Sequence, residues 1–320
     1  MALLEVEALN VRFASGDGPI AAVSDVSFTL NRGECLGIVG ESGSGKSQTF
    51  LAALGLTASN GRVTGRAVFD GQDLLTMPAP ALRRLRGDRL AMIFQDSTTS
   101  LTPHMRVGKQ LMEVLMVHRG VSAAAARVQV LEMLTTVRMP EAERRFEMYP
   151  HEFSGGMRQR AMIAMGLLCK PDVLIADEPT TALDVTVQAQ ILSVLRSYKE
   201  NSNAALVLIT HDLGVVAGLT DRVMVMYGGR VVEDASTAQI FAAPRHPYTA
   251  ALLRCRPSLA HDPEQDLVAI PGAPPDPRRL PQGCAFGPRC EKAVARCGAM
   301  PHLKPVGPAH EAACHLAEMA

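Results

Sequence analysis

The spacing of hydrophobic residues changes character along the chain. From Leu3 to Asp70, short runs of alternating β-branched and polar residues are separated by glycine turns, which predicts the strands of a sheet. Between about Val107 and Ala161 the apolar residues recur at helical intervals, which predicts an inserted helical subdomain. The residues that show these intervals are Val128, Leu131, Leu134 and Val137.

Two later apolar runs are continuous rather than periodic. Val173–Ala176 and Ala205–Ile209 are short and bounded by polar residues, as expected for strands buried on both faces of a parallel sheet. The segment Val185–Lys199 lies between them and predicts the crossover helix that parallel strands require. The pattern therefore predicts an α/β fold built on a parallel core.

The composition divides the chain near residue 250. At 320 residues the chain has room for one large domain and a small appendage. Beyond residue 250 lie 11 of the 21 prolines and five of the seven cysteines, and so many prolines disfavour regular helices and central strands. We expect a first domain over residues 1–250, with its helical subdomain at about 100–165, and a loop-rich extension over 251–320.

Charge and hydropathy exclude several classes of partner and location. Lys plus Arg and Asp plus Glu each count 32, so no basic excess exists to hold nucleic acid. No apolar run approaches the roughly 20 residues that span a bilayer. Glu5 and Glu7 stand where a secretory signal would carry basic and then apolar residues. We expect a cytoplasmic chain with reduced thiols that works on a membrane only through a partner.

Gly40–Ser47 is the first segment that carries chemistry. Its sequence fits G-x-x-x-x-G-K-[ST], and it follows an apolar strand and precedes a helix-compatible run that starts at Gln48. In such a loop the backbone N–H groups surround the β-phosphate, Lys46 reaches the β- and γ-phosphates, and the hydroxyl of Ser47 binds Mg²⁺. The alternative is a Gly/Ser loop that ends in Lys-Ser by chance, and the strand and helix around it disfavour that alternative.

A pair of carboxylates ends the first continuous apolar run. In phosphate-loop NTPases an acid at that place orients Mg²⁺ and its water, which suits Asp177. Glu178 is then placed to polarise the attacking water. Without a phosphate loop, a solvated turn would be the better interpretation of the pair. The two motifs together predict nucleotide hydrolysis.

The segment Phe153–Arg160 is the most specific feature of the sequence. Ser154 can cap a helix that begins with Gly155 and Gly156, and the N–H groups and positive end of that helix favour a γ-phosphate. The segment resembles the signature of ATP-binding cassette (ABC) proteins. In that family the signature helix faces the nucleotide held by the other subunit of a head-to-tail pair. The resemblance therefore implies that each chain supplies half of each site.

The resemblance also implies a fold and a set of catalytic roles. The implied fold is the P-loop NTPase nucleotide-binding domain, with a RecA-like parallel core, an N-terminal antiparallel β subdomain and an inserted α-helical subdomain. Glu178 matches the general base, and Lys46 and His211, the switch histidine, match groups that stabilise charge on the γ-phosphate. Gln95 matches the loop glutamine that touches Mg²⁺ and water. Since all of these residues are present, we expect an active ATPase.

Nucleotide and metal contacts are implied in the same way. Phe13 matches the aromatic that stacks on adenine, with a core aromatic as the alternative. Asp184, at the end of Ala182–Asp184, matches the loop that crosses the dimer interface. The implied Mg²⁺ ligands are Ser47, Gln95 and Asp177. The full set implied to contact ATP is Phe13, Gly40, Glu41, Ser42, Gly43, Ser44, Gly45, Lys46, Ser47, Gln48, Gln95, Asp177, Ser154, Gly155, Gly156, Gln159 and Asp184.

Three segments are similar to the ATPase subunits of oligopeptide, dipeptide and nickel importers. They are the phosphate loop, Arg245–Leu253 and Pro288–Cys290. The resemblance implies that the chain powers import of peptides or a related solute from the cytoplasmic face of the inner membrane. The implied partners are a second, related ABC ATPase, two transmembrane permeases and, indirectly, an external solute-binding protein. A nickel importer, a phosphonate-metabolism system and a soluble non-transport ABC ATPase are the alternatives.

The run Asp96–His104 departs from the usual family pattern at several positions. In the family this loop meets the transmembrane partner. The departure therefore leaves the identity of the permease and of the solute open.

Four cysteines lie in the Pro-rich extension. Four thiolates suit tetrahedral zinc or an iron–sulfur cluster, and free thiols are the third possibility. The absence of a C-x-x-C pair argues against a zinc ribbon. The spacing of five, six and sixteen intervening residues resembles the cluster-binding tail of the peptide-importer ATPases, which implies a [4Fe–4S] cluster. The four residues are Cys284, Cys290, Cys297 and Cys314.

Overall fold

The chain folds into two compact units. The computed structural model describes residues 2–96, 100–181, 183–255 and 269–317. Unit 1 comprises residues 1–30, 36–75 and 210–320, and unit 2 comprises residues 31–35 and 76–209. Each unit therefore draws on segments that are far apart in sequence.

Strands and helices occupy most of the described residues. The strands are β1 (Leu4–Phe13), β2 (Ile20–Leu30), β3 (Cys35–Val39), β4 (Gly61–Phe69), β5 (Gln72–Asp73), β6 (Leu90–Ile93), β7 (Val173–Asp177), β8 (Ala205–Ile209), β9 (Arg222–Tyr227), β10 (Arg230–Ser236), β11 (Lys304–Gly307) and β12 (His310–Ala312). The α-helices are α1 (Lys46–Ala53), α2 (Ala79–Leu85), α3 (Val107–Arg119), α4 (Ala123–Thr136), α5 (Ala142–Phe146), α6 (Gly155–Leu167), α7 (Val185–Asn201), α8 (Leu213–Leu219), α9 (Thr237–Ala242) and α10 (Pro247–Arg254). Short 3₁₀ helices lie at Pro150–Glu152, Gly287–Arg289 and Ala295–Gly298.

An antiparallel sheet in unit 1 supports the first helix. Its strand order is β2-β1-β4-β5. Along the second half of β2, buried residues alternate with exposed ones, as a sheet with one face on the core requires. Phe28 on the buried face meets Phe50 of α1, with ring centroids 5.5 Å apart. The sheet therefore positions the helix that follows the phosphate loop.

A second group of strands in unit 1 leads into that loop. Strand β3 pairs in parallel with β9, and β9, β10, β12 and β11 follow in antiparallel order. The extension thus contributes two short strands as well as loops. Pro305 lies in β11, which is an edge strand, where a missing N–H is tolerated.

Unit 2 contains a parallel sheet with the order β6-β7-β8. Every residue of β7 and β8 is buried, which is why both read as continuous apolar runs in sequence. The connection between them is α7, as predicted. The carboxyl ends of parallel strands lie at one edge of a sheet, so Asp177 and the residues after it are presented there.

The helices α3 to α6 follow β6, and the predicted apolar stripe was wrong at one position. Val128 of α4 is 56% exposed, whereas Ala126, Val130 and Leu134 are fully buried. The buried spacing in α4 is therefore i, i+4, i+8. An Ala-rich helix offers little apolar contrast, so the sequence does not determine which of two overlapping stripes faces the core.

The fold class agrees with the expectation. A parallel core, an antiparallel β subdomain and a helical insertion are all present. Within the four described ranges, no helix combines the length and the apolar composition needed to cross a bilayer.

Candidate nucleotide-binding site

The phosphate loop joins β3 to α1 in unit 1 and depends on two glycines. Gly40 has φ +152°, and a Cβ there would lie 2.2 Å from the carbonyl oxygen of Met226. Gly45 has φ +95°, and its Cβ would lie 2.4 Å from the carbonyl oxygen of Ala22. Both distances are far below any real carbon–oxygen contact, so neighbouring backbone requires glycine at both places.

Lys46 lies inside the loop and is 7% exposed. Its ammonium donates hydrogen bonds to the carbonyl oxygens of Gly40, at 2.8 Å, and Glu41, at 2.9 Å. Both acceptors are neutral, and an anionic phosphate oxygen would bind the ammonium more strongly than either carbonyl. Ser47 and Gln48 follow directly in the first turn of α1.

Two further predicted residues belong to unit 1. Phe13 ends β1 and is half-buried, and its ring lies so close to Gly61 that a Cβ there would be 2.7 Å from the Phe13 Cε1 atom. His211 is exposed and follows Thr210. The next residue, Asp212, caps α8 by accepting a hydrogen bond from the N–H of Gly214 at 2.7 Å. The cap fixes the backbone beside His211.

The two carboxylates lie at the carboxyl end of β7 in unit 2. Asp177 is 4% exposed and pairs in register with Ile209. Glu178 has φ +47°, which is rare for a residue with a side chain. Its Oε2 accepts hydrogen bonds from the Gln95 amide at 3.2 Å and the Thr181 hydroxyl at 2.7 Å. The left-handed backbone and the two hydrogen-bond donors therefore fix the orientation of the Glu178 carboxylate.

The signature segment also lies in unit 2. Ser154 caps α6, and its hydroxyl accepts a hydrogen bond from the N–H of Met157 at 3.3 Å. Gly156 packs so closely on α7 that a Cβ would lie 3.1 Å from Val187 Cγ1. Asp184 caps α7 through the N–H of Val187 at 2.9 Å. The starts of the two helices are thereby held side by side.

The predicted residues differ in their exposure. Ser154, Gly155 and Gln95 are exposed, whereas Gln159 is 5% exposed. Burial places the amide of Gln159 in the interior of unit 2 rather than on its surface. Ala182 and residues 97–99 of the loop after β6 lie outside the described residues.

Comparisons with known proteins identify the family. A family model described as "ABC transporter" matches residues 23–181, and a second, described as "Oligopeptide/dipeptide transporter, C-terminal region", matches residues 232–297. The chain is 55% identical to the oligopeptide transport ATP-binding protein OppD of Salmonella typhimurium over 312 residues, which is 98% of this chain and 93% of that protein. The chain belongs to the ABC transporter ATPase family.

Further similarities agree with this assignment. The dipeptide transport ATP-binding protein DppD of Escherichia coli is 47% identical over 317 residues, covering 98% of this chain and 97% of DppD. A solved dimeric bacterial ABC transporter cassette has a TM-score of 0.67 at 27% identity, covering 73% of this chain and 98% of the cassette. The protein is thus an ABC ATPase that binds and hydrolyses ATP.

Sequence reasoning placed Glu41 of this ABC ATPase in the phosphate loop but missed the residues that hold it. The guanidinium of Arg289 donates to both carboxylate oxygens of Glu41, at 2.6 and 3.1 Å. The N–H of Glu41 donates to the hydroxyl of Tyr248 at 2.8 Å. Hydrogen bonds from the Arg289 guanidinium to Glu41 keep the pKa of Arg289 above its ordinary value. The sequence did contain one signal for this contact. An acidic residue in a loop that binds anions is stable only beside a cationic side chain, so Glu41 predicts a basic partner.

The four cysteines of the extension are free thiols in the described structure. Burial raises the pKa of Cys284, and the charges of Cys297 and Cys314 add to the rise. Burial also raises the pKa of Cys290. Among the residues that the structure describes, however, no group of three His, Cys, Asp or Glu side chains is arranged to hold a metal ion. The four thiols do not form a ligand set, so the structure gives no support to the predicted cluster.

Proposed function

We propose that this ABC ATPase powers the import of oligopeptides or dipeptides across the inner membrane. The observation that carries the proposal is the likeness of residues 232–297 to the C-terminal region of oligopeptide and dipeptide transporters. The family model of the cassette is described only as "ABC transporter", so the match of the C-terminal region is the one that names peptides. The relatives named for oligopeptide and dipeptide transport match over nearly the full chain, which supports the same conclusion.

Binding of ATP would begin at the phosphate loop. Lys46 leaves the carbonyls of Gly40 and Glu41 for the β- and γ-phosphates, exchanging neutral acceptors for anionic ones. Ser47, Gln95 and Asp177 carry oxygen donors, which are the ligands that Mg²⁺ prefers. When bound, Mg²⁺ neutralises part of the charge on the phosphates. Phe13 is the proposed platform for adenine.

Hydrolysis would use Glu178 as the general base. Its carboxylate accepts a proton from the water that attacks the γ-phosphorus, and the bond between that phosphorus and the bridging oxygen of ADP breaks. Gln95 and Thr181 orient the carboxylate by the hydrogen bonds they donate to it. His211 and Lys46 stabilise the negative charge that develops on the phosphoryl oxygens. The products are ADP and inorganic phosphate.

A second ATPase subunit is part of the proposal. Ser154 and Gly155 are exposed at the start of α6, where the helix end is positive and favours a phosphate group. A nucleotide held by another cassette would suit this end. The proposed partner is a related rather than an identical chain, together with two permeases and an external solute-binding protein. The ATPase would then lie peripherally on the cytoplasmic face of the inner membrane.

A [4Fe–4S] cluster at Cys284, Cys290, Cys297 and Cys314 stays a prediction. Among the described residues, no side-chain arrangement supports it. Iron, sulfide and zinc would be measured in protein purified without oxygen. Four irons and four sulfides per chain, lost in Cys290→Ser but kept in Cys255→Ser, would support the cluster. Zinc or free thiols in the wild type would exclude it.

Reconstitution tests the proposed transport activity. The ATPase, its companion ATPase and the permeases would be placed in lipid nanodiscs, and ATP hydrolysis would be measured with the solute-binding protein. We expect hydrolysis to rise when the binding protein carries an oligopeptide or dipeptide. Stimulation by Ni²⁺ and not by peptides, or hydrolysis indifferent to the permeases, would overturn the peptide-import proposal.

A further inference from the structure

Arg289 makes a saturated set of hydrogen bonds next to the phosphate loop. Besides both oxygens of Glu41, its guanidinium contacts the hydroxyl of Tyr227 at 3.1 Å and the carbonyl oxygens of Pro271 and Ile270 at 2.8 and 3.2 Å. These bonds use all five N–H donors that an arginine side chain has. The side chain is 6% exposed. Because every N–H donor of Arg289 has an acceptor, the side chain is held in one position.

The surroundings of Arg289 are buried and closely packed. Tyr227 and Tyr248 are 1% and 0% exposed, and their ring centroids are 4.5 Å apart. Phe286, three positions before Arg289, packs against both rings at 5.3 Å. The same aromatic cluster that holds the guanidinium also supplies the Tyr248 hydroxyl that binds the N–H of Glu41. Glu41 is therefore fixed at its backbone and at its side chain.

Glu41 needs this fixation because of its place in the loop. It is a carboxylate in a segment that binds polyanionic phosphates, and its carbonyl oxygen already lies 2.9 Å from the Lys46 ammonium. Were the carboxylate released, it would compete with the phosphates for Lys46, since an ion pair is stronger than a bond to a neutral carbonyl. In the folded chain, both oxygens of that carboxylate accept hydrogen bonds from Arg289.

We propose that Arg289 is a positioning residue for ATP binding, which neutralises Glu41 and holds it away from Lys46. Arg289 acts through Glu41 and needs no contact with the nucleotide. The inference rests on the proposed function only in that MgATP is the ligand of the loop. It assigns the Pro288–Cys290 segment of the extension a role in nucleotide affinity.

Binding of MgATP to the full-length chain, measured by calorimetry, tests this role. Arg289→Gln should weaken MgATP binding by about tenfold, and adding Glu41→Gln to it should return the affinity to within about threefold of wild type. The rescue is decisive, because a purely structural loss would worsen when a second native contact is removed. Arg278→Gln is the matched control, since Arg278 makes an exposed bidentate pair with Asp276 in the same extension. It should bind MgATP like the wild type.

The outcomes separate this inference from the function itself. Failure of the wild type to bind MgATP would overturn the proposed function. Normal binding by Arg289→Gln, or an equal loss in the double variant, would overturn the role of Arg289 alone. Should Arg289→Gln fail to fold, Arg289→Met, which also removes the charge, carries the same test with and without Glu41→Gln. In the reconstituted transporter, KM for ATP should rise in Arg289→Gln while kcat at saturating ATP stays within about twofold.

Discussion

The Gln95 side chain donates a hydrogen bond to Glu178 Oε2 at 3.2 Å, which ties the segment after β6 to the residue after β7. Thr181 donates to the same oxygen at 2.7 Å. Two donors on one oxygen leave the carboxylate oriented rather than free to rotate. The left-handed backbone at Glu178 has a cost of about 1 to 3 kcal/mol, which packing must offset. Such strain is typical of residues that carry out chemistry.

Glu178→Gln should bind MgATP normally and hydrolyse it at least about 100-fold more slowly, because an amide cannot accept the proton of the attacking water. The rate would be measured in the reconstituted transporter at saturating ATP. Glu7→Gln is a suitable control, since Glu7 is exposed and pairs with Arg66 on the surface. Hydrolysis near the wild-type rate in Glu178→Gln would show that another group is the base.

Ser154→Ala should lower both stability and ATP hydrolysis. The loss of the N-cap bond to Met157 should reduce the free energy of unfolding by about 1 kcal/mol. Ser122 caps α4 through the N–H of Ala125 at the same 3.3 Å, so Ser122→Ala should cost a similar amount of stability. Only Ser154→Ala should slow hydrolysis in the assembled transporter. Equal effects of the two variants on hydrolysis would count against a nucleotide contact at α6.

Gly45→Ala should disrupt the phosphate loop. The new Cβ would lie 2.4 Å from the Ala22 carbonyl oxygen, and the backbone is in the left-handed region. The resulting shift should weaken MgATP binding by about tenfold or more. Gly16→Ala provides the comparison, because no atom lies within 4 Å of its Cβ position. If calorimetry found the same affinity in both variants, the close backbone contact would have no part in nucleotide binding.

His246 should make the protein less stable in acid. Burial lowers its pKa from 6.5 to about 4, and its Nδ1 accepts the N–H of Tyr248 at the start of α10. Because the folded pKa lies below the unfolded one, the unfolded chain takes up the proton first as pH falls. The free energy of unfolding therefore decreases as pH falls from 6.5 towards 4. The total decrease that His246 causes is about 3 kcal/mol.

Chemical denaturation between about pH 7 and about pH 4 would measure this loss. In His246→Asn, the new side chain can still cap α10 but does not titrate. Over this pH range, the free energy of unfolding of the variant should therefore fall by about 3 kcal/mol less than that of the wild type. His104→Asn, at an exposed position, should follow the wild type. Parallel curves for wild type and His246→Asn would contradict the prediction.

The candidate site could be predicted where its residues are contiguous. Gly40–Ser47, the pair Asp177 and Glu178, and the start of α6 each follow rules that act over a few residues: glycines in a tight loop, acids at the end of a buried strand, and a serine N-cap. The buried strands could be predicted equally well, because a strand covered on both faces consists almost entirely of apolar residues.

Features that depend on contacts across the chain were not predictable in this way. Arg289 is 248 positions from Glu41, and no local pattern joins them. The stripe of α4 that faces the core was predicted partly wrongly at Val128, because the helix period allows more than one stripe. The arrangement of the four extension thiols also could not be inferred from their spacing.

By itself the sequence determined the strand and helix types, the Gly40–Ser47 loop, the pair of acids at the end of β7 and the helix caps, because each arises from backbone hydrogen bonding and steric limits within a few neighbouring residues. Only the tertiary structure decided which side chains meet from distant segments. Examples are the hydrogen bonds of Arg289 to Glu41 and of Gln95 to Glu178, and the burial that lowers the pKa of His246. Those contacts follow from the packing of whole elements, and packing depends on the complete chain.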